Sequence, residues 1–235
     1  HVDRGFLVIS TMPPEDRQTH ASHMGRLKAL QSLGLAEERQ TGVWQVVPDI
    51  ENKLRSLGQR VDIIKTMNRA MREVGVERQS GSFAMFDTAK AGNRIVGRVA
   101  GIGLTDEIND RHYVVVDGID GRVHYADVGH QRPELVPEKR MIVAIENQTS
   151  EDDAKIRTRL RILSYLNLER LTEAEGATWL DKELLTAKPE QLGHAGFASD
   201  VRSALAGRRQ WLVANALGRL SEAGHFEPSR NVLHQ

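Results

Sequence analysis

The stretch Tyr113-Val114-Val115-Val116-Asp117-Gly118-Ile119-Asp120-Gly121-Arg122-Val123-His124-Tyr125 constrains the fold more than any other part of the chain. β-Branched and aromatic residues favour extended backbone, and Asp/Gly pairs supply the positive-φ positions of a tight turn, so an antiparallel hairpin is expected here. Similar texture at Arg94–Ile102 and Arg140–Ile145 extends the prediction to four or five strands forming a small antiparallel β-barrel or sheet over 79–148. Gly97, Gly101 and Gly103 suit bulges or bends that let one strand serve both sides of such a barrel.

On either side the period changes from two to a helical one. Pro13-Pro14-Glu15-Asp16 opens a helix whose apolar positions Met24, Leu27 and Leu30 run up to a capping Gly34, and Leu35–Val46 then reads as a hairpin around Gly42. Two further helices are expected, from Asp49 to Leu57 with Gly58 past its end, and from Asp62 to Val74 with Gly75 as its stop. In the last third, Ser150-Glu151-Asp152-Asp153 resembles an acidic helix start. Lys155, Arg157, Arg159 and Arg161 would then spread over more than one helical face and pair with those acids, whereas a strand would gather all four on one side. Helices around Trp179–Leu185 and Ala198–Leu217 follow, and Gly218–Glu227 reads as a second hairpin. The fold class is α+β: a winged-helix-like unit at 1–78, the β domain at 79–148, and a helical domain at 149–235 ending in a second winged-helix-like hairpin.

Composition removes several function classes. Lys plus Arg and Asp plus Glu number 32 each, so the chain is not a strongly basic polyanion binder and any nucleic-acid contact must come from a local patch. The absence of cysteine removes thiol catalysis and fits a reducing, cytoplasmic setting. No apolar run approaches a membrane span. A chain opening His-Val-Asp-Arg without methionine is expected to be a piece of a longer protein. The nine histidines show no metal-ligand spacing, His112 and His124 are expected to face each other across a hairpin, and Tyr165 is expected on an apolar helix. No phosphate loop, dinucleotide fingerprint or serine-hydrolase elbow occurs, so neither a cofactor nor an enzymatic activity is expected of this chain.

The helix followed by a hairpin occurs twice, and such a unit is the C-terminal half of a winged helix-turn-helix, whose last helix enters a major groove while the hairpin touches flanking backbone. On this reading the DNA-binding side chains are Arg17, His20, Arg26, Lys28, Arg39 and Gln40 in the first copy, and Arg202, Arg208, Arg209 and Arg219 in the second. The competing reading is a protein-docking module with solvated arginines.

Further motifs run in order along essentially the whole chain. They are Gly25-Arg26-Leu27-Lys28-Ala29-Leu30-Gln31-Ser32-Leu33-Gly34-Leu35-Ala36, Asp62-Ile63-Ile64-Lys65-Thr66-Met67, Gly97-Arg98-Val99 with Gly103-Leu104-Thr105-Asp106-Glu107, Tyr113 to His124, Gly176-Ala177-Thr178-Trp179-Leu180-Asp181, and Gly196-Phe197 leading to Val201-Arg202. The series resembles the domain of unknown function that follows the nuclease domain in bacterial relaxase/mobilisation nucleases, which nick one strand at the transfer origin of a conjugative plasmid or integrative element. The nuclease domain of that family carries a His-x-His metal cluster and a catalytic tyrosine, and this chain matches neither, so no catalytic residue is carried over. The resemblance implies a non-catalytic accessory region that binds duplex or origin DNA and raises the effective concentration of the nickase there. Its implied partners are transfer-origin DNA and the nuclease domain in cis. In the docking alternative they are relaxosome proteins, a coupling protein or a type IV secretion channel.

Overall fold

Leu27 and Leu30 of α1 (Arg17–Ser32) lie on one side of their helix and bury against Leu35, Ala36 and Trp44, which is 1% exposed. Gly34, at φ 70, ends α1: its N–H donates to Gln31 O at 2.9 Å and Leu35 N–H donates to Leu30 O at 2.8 Å, the paired bonds of a Schellman cap. The chain then enters the expected hairpin, β3 (Ala36–Gln40) and β4 (Val43–Val46), with Gly42 at φ 75 in the turn. Together with β1 (Val2–Asp3) and β2 (Phe6–Val8) these strands form a four-stranded sheet in the order β1-β2-β4-β3. The computed structural model describes residues 2–3, 6–8, 17–132, 135–150, 155–186, 192–220 and 226–228. The helix-start motif at 13–16, the acidic segment 151–154 and the 221–225 turn lie outside these.

A single helix, α2 (Ile50–Glu73), replaces the two expected around Gly58 and runs from one compact unit, residues 1–62, into the other, residues 63–235. Gly58 is exposed with nothing near its missing Cβ. A helical glycine costs about 1 kcal/mol, less than the burial of Ile50 and Leu54 at one end and of Ile63, Met67, Ala70 and Met71 at the other. Gly75, at φ 78, stops the helix with a second Schellman pair.

The second unit is built on a six-stranded mixed sheet: β5 (Phe83–Met85), β6 (Arg94–Asp106), β7 (Arg111–Gly118), β8 (Val123–His130), β9 (Ile142–Thr149) and β10 (Ile156–Ser164), in the order β10-β9-β6-β7-β8-β5. Three expectations are corrected. The sheet is not purely antiparallel, because β5 pairs parallel with β8. It curls enough that Val128 of β8 and Leu160 of β10 share one core, yet the edge strands β10 and β5 are not paired, so no barrel closes. Ile156–Ser164 is a strand, because β10 pairs antiparallel with β9 along its length, so the helical domain expected from residue 149 begins inside the sheet.

Period-two alternation assigns the two sheet faces. Ile95, Val99, Val114, Val116, Val143, Ile145 and Leu160 fill the inner face. The outer face is covered in two places: by the end of α2 against Ala100, Val115 and Tyr125, and by α3 (Leu168–Thr172), α4 (Trp179–Thr186) and α5 (Phe197–Ala214) against Val96, Ile142 and Ala144. These helices share their core with the sheet and form no separate domain, so neither the 78/79 nor the 148/149 boundary separates compact units. After α5 the second hairpin, β11 (Gly218–Leu220) with β12 (Phe226–Pro228), completes the repeated helix-hairpin unit. Among the described residues no helix is long and apolar enough to cross a membrane.

Gly101 shows why glycine is needed in β6. Ala100 is an extra residue, since Val99 pairs with Val116 and Gly101 with Val115, and at this bulge α2 approaches so closely that a Cβ on Gly101 would sit 2.6 Å from Ala70 Cβ. Gly101→Ala should therefore destabilise the fold by about 1–3 kcal/mol in urea unfolding, and Ala70→Gly in the same chain should recover part of the loss. An unchanged midpoint for Gly101→Ala would refute this packing.

Candidate nucleic-acid interface

Where helices do not cover it, the outer face of the sheet is polar. Opposed residues of antiparallel strands share a face, so the register places Arg94, Glu146 and Arg159 in one row and Gln148 and Arg157 in the next. Arg157, Arg159 and Arg161, two residues apart along the edge strand β10, are exposed and lie on this side, and the exposed Lys155 immediately precedes the strand; Lys155 and Arg157 also have partners within the chain. Leu160 and Ile162, which alternate with them, turn inward to the core, and this holds the three arginines in one file. Arg159 Nη1 donates to Gln148 Oε1 at 3.3 Å, and Gln148 Nε2 donates to Glu146 Oε1 at 2.9 Å, so the row is partly ordered. At a rise of about 3.3 Å per residue, alternate side chains stand roughly 6.6 Å apart and the file from Arg157 to Arg161 extends about 13 Å.

This file was visible in the sequence only as a charge alternation. The acidic residues before it suggested a helix, on which the same four charges would have dispersed. Pairing with β9 instead gathers Arg157, Arg159 and Arg161 on one side of the sheet, beside Glu146.

The side chains selected from sequence fare differently. On α1, Arg26 and Lys28 are exposed and His20 is half-buried; the side chain of Arg17 lies outside the described residues. At 100° per residue Arg26 and Lys28 point about 160° apart, on opposite flanks of the buried Leu27 stripe, so one groove cannot engage both. Arg39 on β3 is exposed, donating to Gln45 Oε1 at 2.8 Å and bridging Glu37 at 3.0 Å, beside the exposed Gln40.

In the second copy α5 spends its cations on the protein itself. Arg208 is 1% exposed: Nε and Nη2 grip Asp181 at 2.8 and 3.0 Å, Nη1 and Nη2 donate to the carbonyls of Thr172, Ala174 and Gly176, and the guanidinium lies 4.7 Å from the Trp211 ring centroid. Arg208 therefore has no donor left to read a groove, a correction that follows from its burial. Arg202 donates to the carbonyls of Leu192 and Gly193, and Arg209 is half-buried and partnered. Arg219 on β11 is exposed and donates to Glu227 Oε2 at 2.8 Å.

Two smaller expectations also change. His112 pairs with Gly129 and His124 with Val116, so these histidines do not oppose each other; His124 Nε2 instead meets Asp120 Oδ2 at 2.9 Å. Burial alone would raise the Asp120 carboxyl, but the hydrogen bond and charge of His124, together with Arg122 N–H, outweigh it and hold it below the usual carboxylate range. Tyr165 lies not on a helix but in the bend after β10, 72% exposed. Among the described residues no group of three His, Cys, Asp or Glu side chains is placed to hold a metal ion.

A second polar centre sits where α5 begins. Asp117 of β7, 1% exposed, accepts Phe197 N–H at 3.0 Å, with Arg78 and Arg98 each 3.7 Å away. Arg98 also bridges Asp200 at 3.2 Å and lies 4.9 Å from the Phe197 ring centroid. A cavity of about 610 Å³ opens beside it, with Arg140, Asn167 and Glu169 on its walls. The network of Asp117, Arg78, Arg98 and Asp200 is charge-balanced and ties the sheet to the N-terminus of α5.

The family described as protein of unknown function (DUF3363) matches residues 23–158 and 147–235, and the chain belongs to it. No curated protein and no solved structure matches the chain.

Proposed function

We propose that this chain is the non-catalytic accessory region of a conjugative relaxase and that it binds DNA at the transfer origin, helping to hold the nickase there. The observation carrying the DNA-binding reading is that Arg157, Arg159 and Arg161 lie exposed on one side of the edge strand β10, Arg157 with a partner in the chain as well. The run of motifs from Gly25 to Arg202, in order along the chain, supports the relaxase assignment. Arg26 and Arg39 of the first helix-hairpin unit offer a further basic contact of winged-helix kind.

The test is a titration of labelled origin DNA across a salt series. The logarithm of affinity should fall linearly with the logarithm of salt, and the Arg157→Ala/Arg159→Ala/Arg161→Ala variant should have a slope shallower by roughly 3, one unit for each phosphate no longer neutralised. Affinity no greater than for a neutral polymer at low salt would sink the reading.

A second reading, docking to a relaxosome or secretion protein, is favoured by a separate feature of the first unit. Leu33, Leu57 and Val61 are 56%, 38% and 50% exposed, and the first two line an open groove with Asp49, Lys53 and Arg60. Transfer between cells that survives polar replacement of Leu33 and Leu57 would count against it.

A further inference from the structure

The cavity beside Arg98, about 610 Å³, has the size of a small-molecule site. Its apolar lining comes from the buried Ile142 and Phe197, from Val74 and Val76 after the end of α2, and from Leu168 and Ala204. Two guanidiniums on its wall are little used by the protein. Arg98 makes one side-chain hydrogen bond, from Nη1 to Asp200 Oδ2 at 3.2 Å; Asp117, at 3.7 Å, is near enough to balance its charge but too far to accept a hydrogen bond. Arg140 is exposed and makes no side-chain hydrogen bond or ion pair with any described residue. Its backbone is nevertheless fixed. Arg140 N–H donates to Val99 O at 2.8 Å and Val99 N–H donates to Met141 O at 2.9 Å, which pins Arg140 at φ 74, a left-handed conformation easy for glycine and costly for arginine. Backbone strain of this kind is found where a side chain serves a ligand, and here it sets a cation without a partner on the wall of a cavity.

We infer that this cavity binds a small organic anion, a molecule with an apolar body and a single carboxylate or phosphate head. The body lies against Phe197 and Ile142, and the head is held by Arg140 together with the unused N–H groups of Arg98. The inference is independent of the DNA-binding reading and of the β10 edge. Two carboxylates also line the cavity, and they do not carry equal weight against an anion. Asp200 already bridges Arg98. Glu169 has no partner among the described residues and is exposed in the first turn of α3, so water screens it. Set against that one screened charge are all the N–H groups of Arg140 and all but one of those of Arg98, each needing an acceptor once a ligand has displaced water. An amine would find only Glu169 free.

The experiment uses three probes that share one ring system and differ in charge: naphthylacetate, naphthylmethanol and naphthylmethylammonium. Their binding to the full chain, Arg140→Gly, Arg140→Ala and Glu169→Gln is followed by ligand-observed NMR. Naphthylacetate should bind the full chain with a dissociation constant of about 1 mM or tighter, the range expected for so small a ligand. It should bind at least about fivefold more tightly than either of the other probes, and each Arg140 variant should lose about fivefold. Glu169→Gln should strengthen its binding. Urea unfolding separates a lost ligand contact from a damaged fold: Arg140→Gly should keep or raise the wild-type midpoint, because glycine takes φ 74 without strain. Preference for the ammonium probe overturns the inference in favour of an amine site on Glu169. Equal binding of all three probes, with both Arg140 variants silent, also overturns it and leaves an apolar cleft. So does the absence of binding by any of them. The affinity of Arg140→Gly for labelled origin DNA should match that of the full chain, so failure here leaves the DNA-binding reading standing.

Discussion

Arg208→Ala should remove about 3–5 kcal/mol of stability from the second unit, the largest effect expected of any single substitution on α5. The side chain is buried, and its loss takes the cation from the Asp181 carboxylate, which keeps only the donors of Thr178, and the guanidinium donors from the carbonyls of Thr172, Ala174 and Gly176. It also removes a flat guanidinium stacked on Trp211. Lysine should not rescue the loss, because one ammonium cannot reproduce a fork reaching both carboxylate oxygens and carbonyls on either side. Urea unfolding followed by circular dichroism measures the effect. A change below about 1 kcal/mol would mean that the buried cluster is not holding α3 and α4 to α5. The same variant, where folded, should keep the wild-type salt slope for DNA, since Arg208 does not belong to the β10 file.

The second large effect is expected at Asp117. Asp117→Ala should also cost about 3–5 kcal/mol, because it takes the acceptor from Phe197 N–H at the start of α5 and leaves Arg78, whose side chain is 7% exposed, beside no carboxylate. Asp117→Asn keeps the acceptor but loses the charge, and should cost less. The two forms also differ in pH dependence. Burial pushes the Asp117 carboxyl above its ordinary value, more than Phe197 N–H, Arg78 and Arg98 pull it down. A carboxyl whose proton is held more tightly in the folded state favours the fold increasingly as pH falls toward the unfolded value near 3.8, and that advantage is lost as pH rises through the raised folded value. The stability gap between wild type and the non-titrating Asp117→Asn should therefore be wider at acid pH than at pH 7. Asp120 has the opposite sign: its lowered carboxyl stabilises above the unfolded value and loses that contribution as pH falls. A wild-type to Asp117→Asn gap that narrows on acidification would show that the arginines, not burial, govern Asp117.

Local chemistry was sufficient for much of this fold. Runs of β-branched residues and the Asp/Gly turn specified β7 and β8, since no other backbone accommodates Tyr113–Val116 and Val123–Tyr125 as well. Gly34 and Gly75 marked helix ends because their positive φ is inexpensive only for glycine. Helix followed by hairpin was legible twice for the same reason. Gly58 misled, because a glycine's local cost is small enough for packing at both ends of α2 to override it.

The candidate site was less legible, and the reason is physical. Lys155 to Arg161 alternate in the period of a strand, which would gather them on one face, but the acidic residues before them suit a helix start, and only the pairing of Ile156–Ser164 with Ile142–Thr149, which the sequence does not reveal, makes the segment a strand. Arg208 looked like a groove-reading cation because its partners, Asp181 and the carbonyls of 172–176, lie 27 to 36 residues earlier in the chain. By itself the sequence determined which segments were strands and helices wherever turn residues and side-chain branching left one choice. Only the tertiary structure decided which charges face solvent together and which are consumed by the core, because that depends on contacts between residues far apart along the chain.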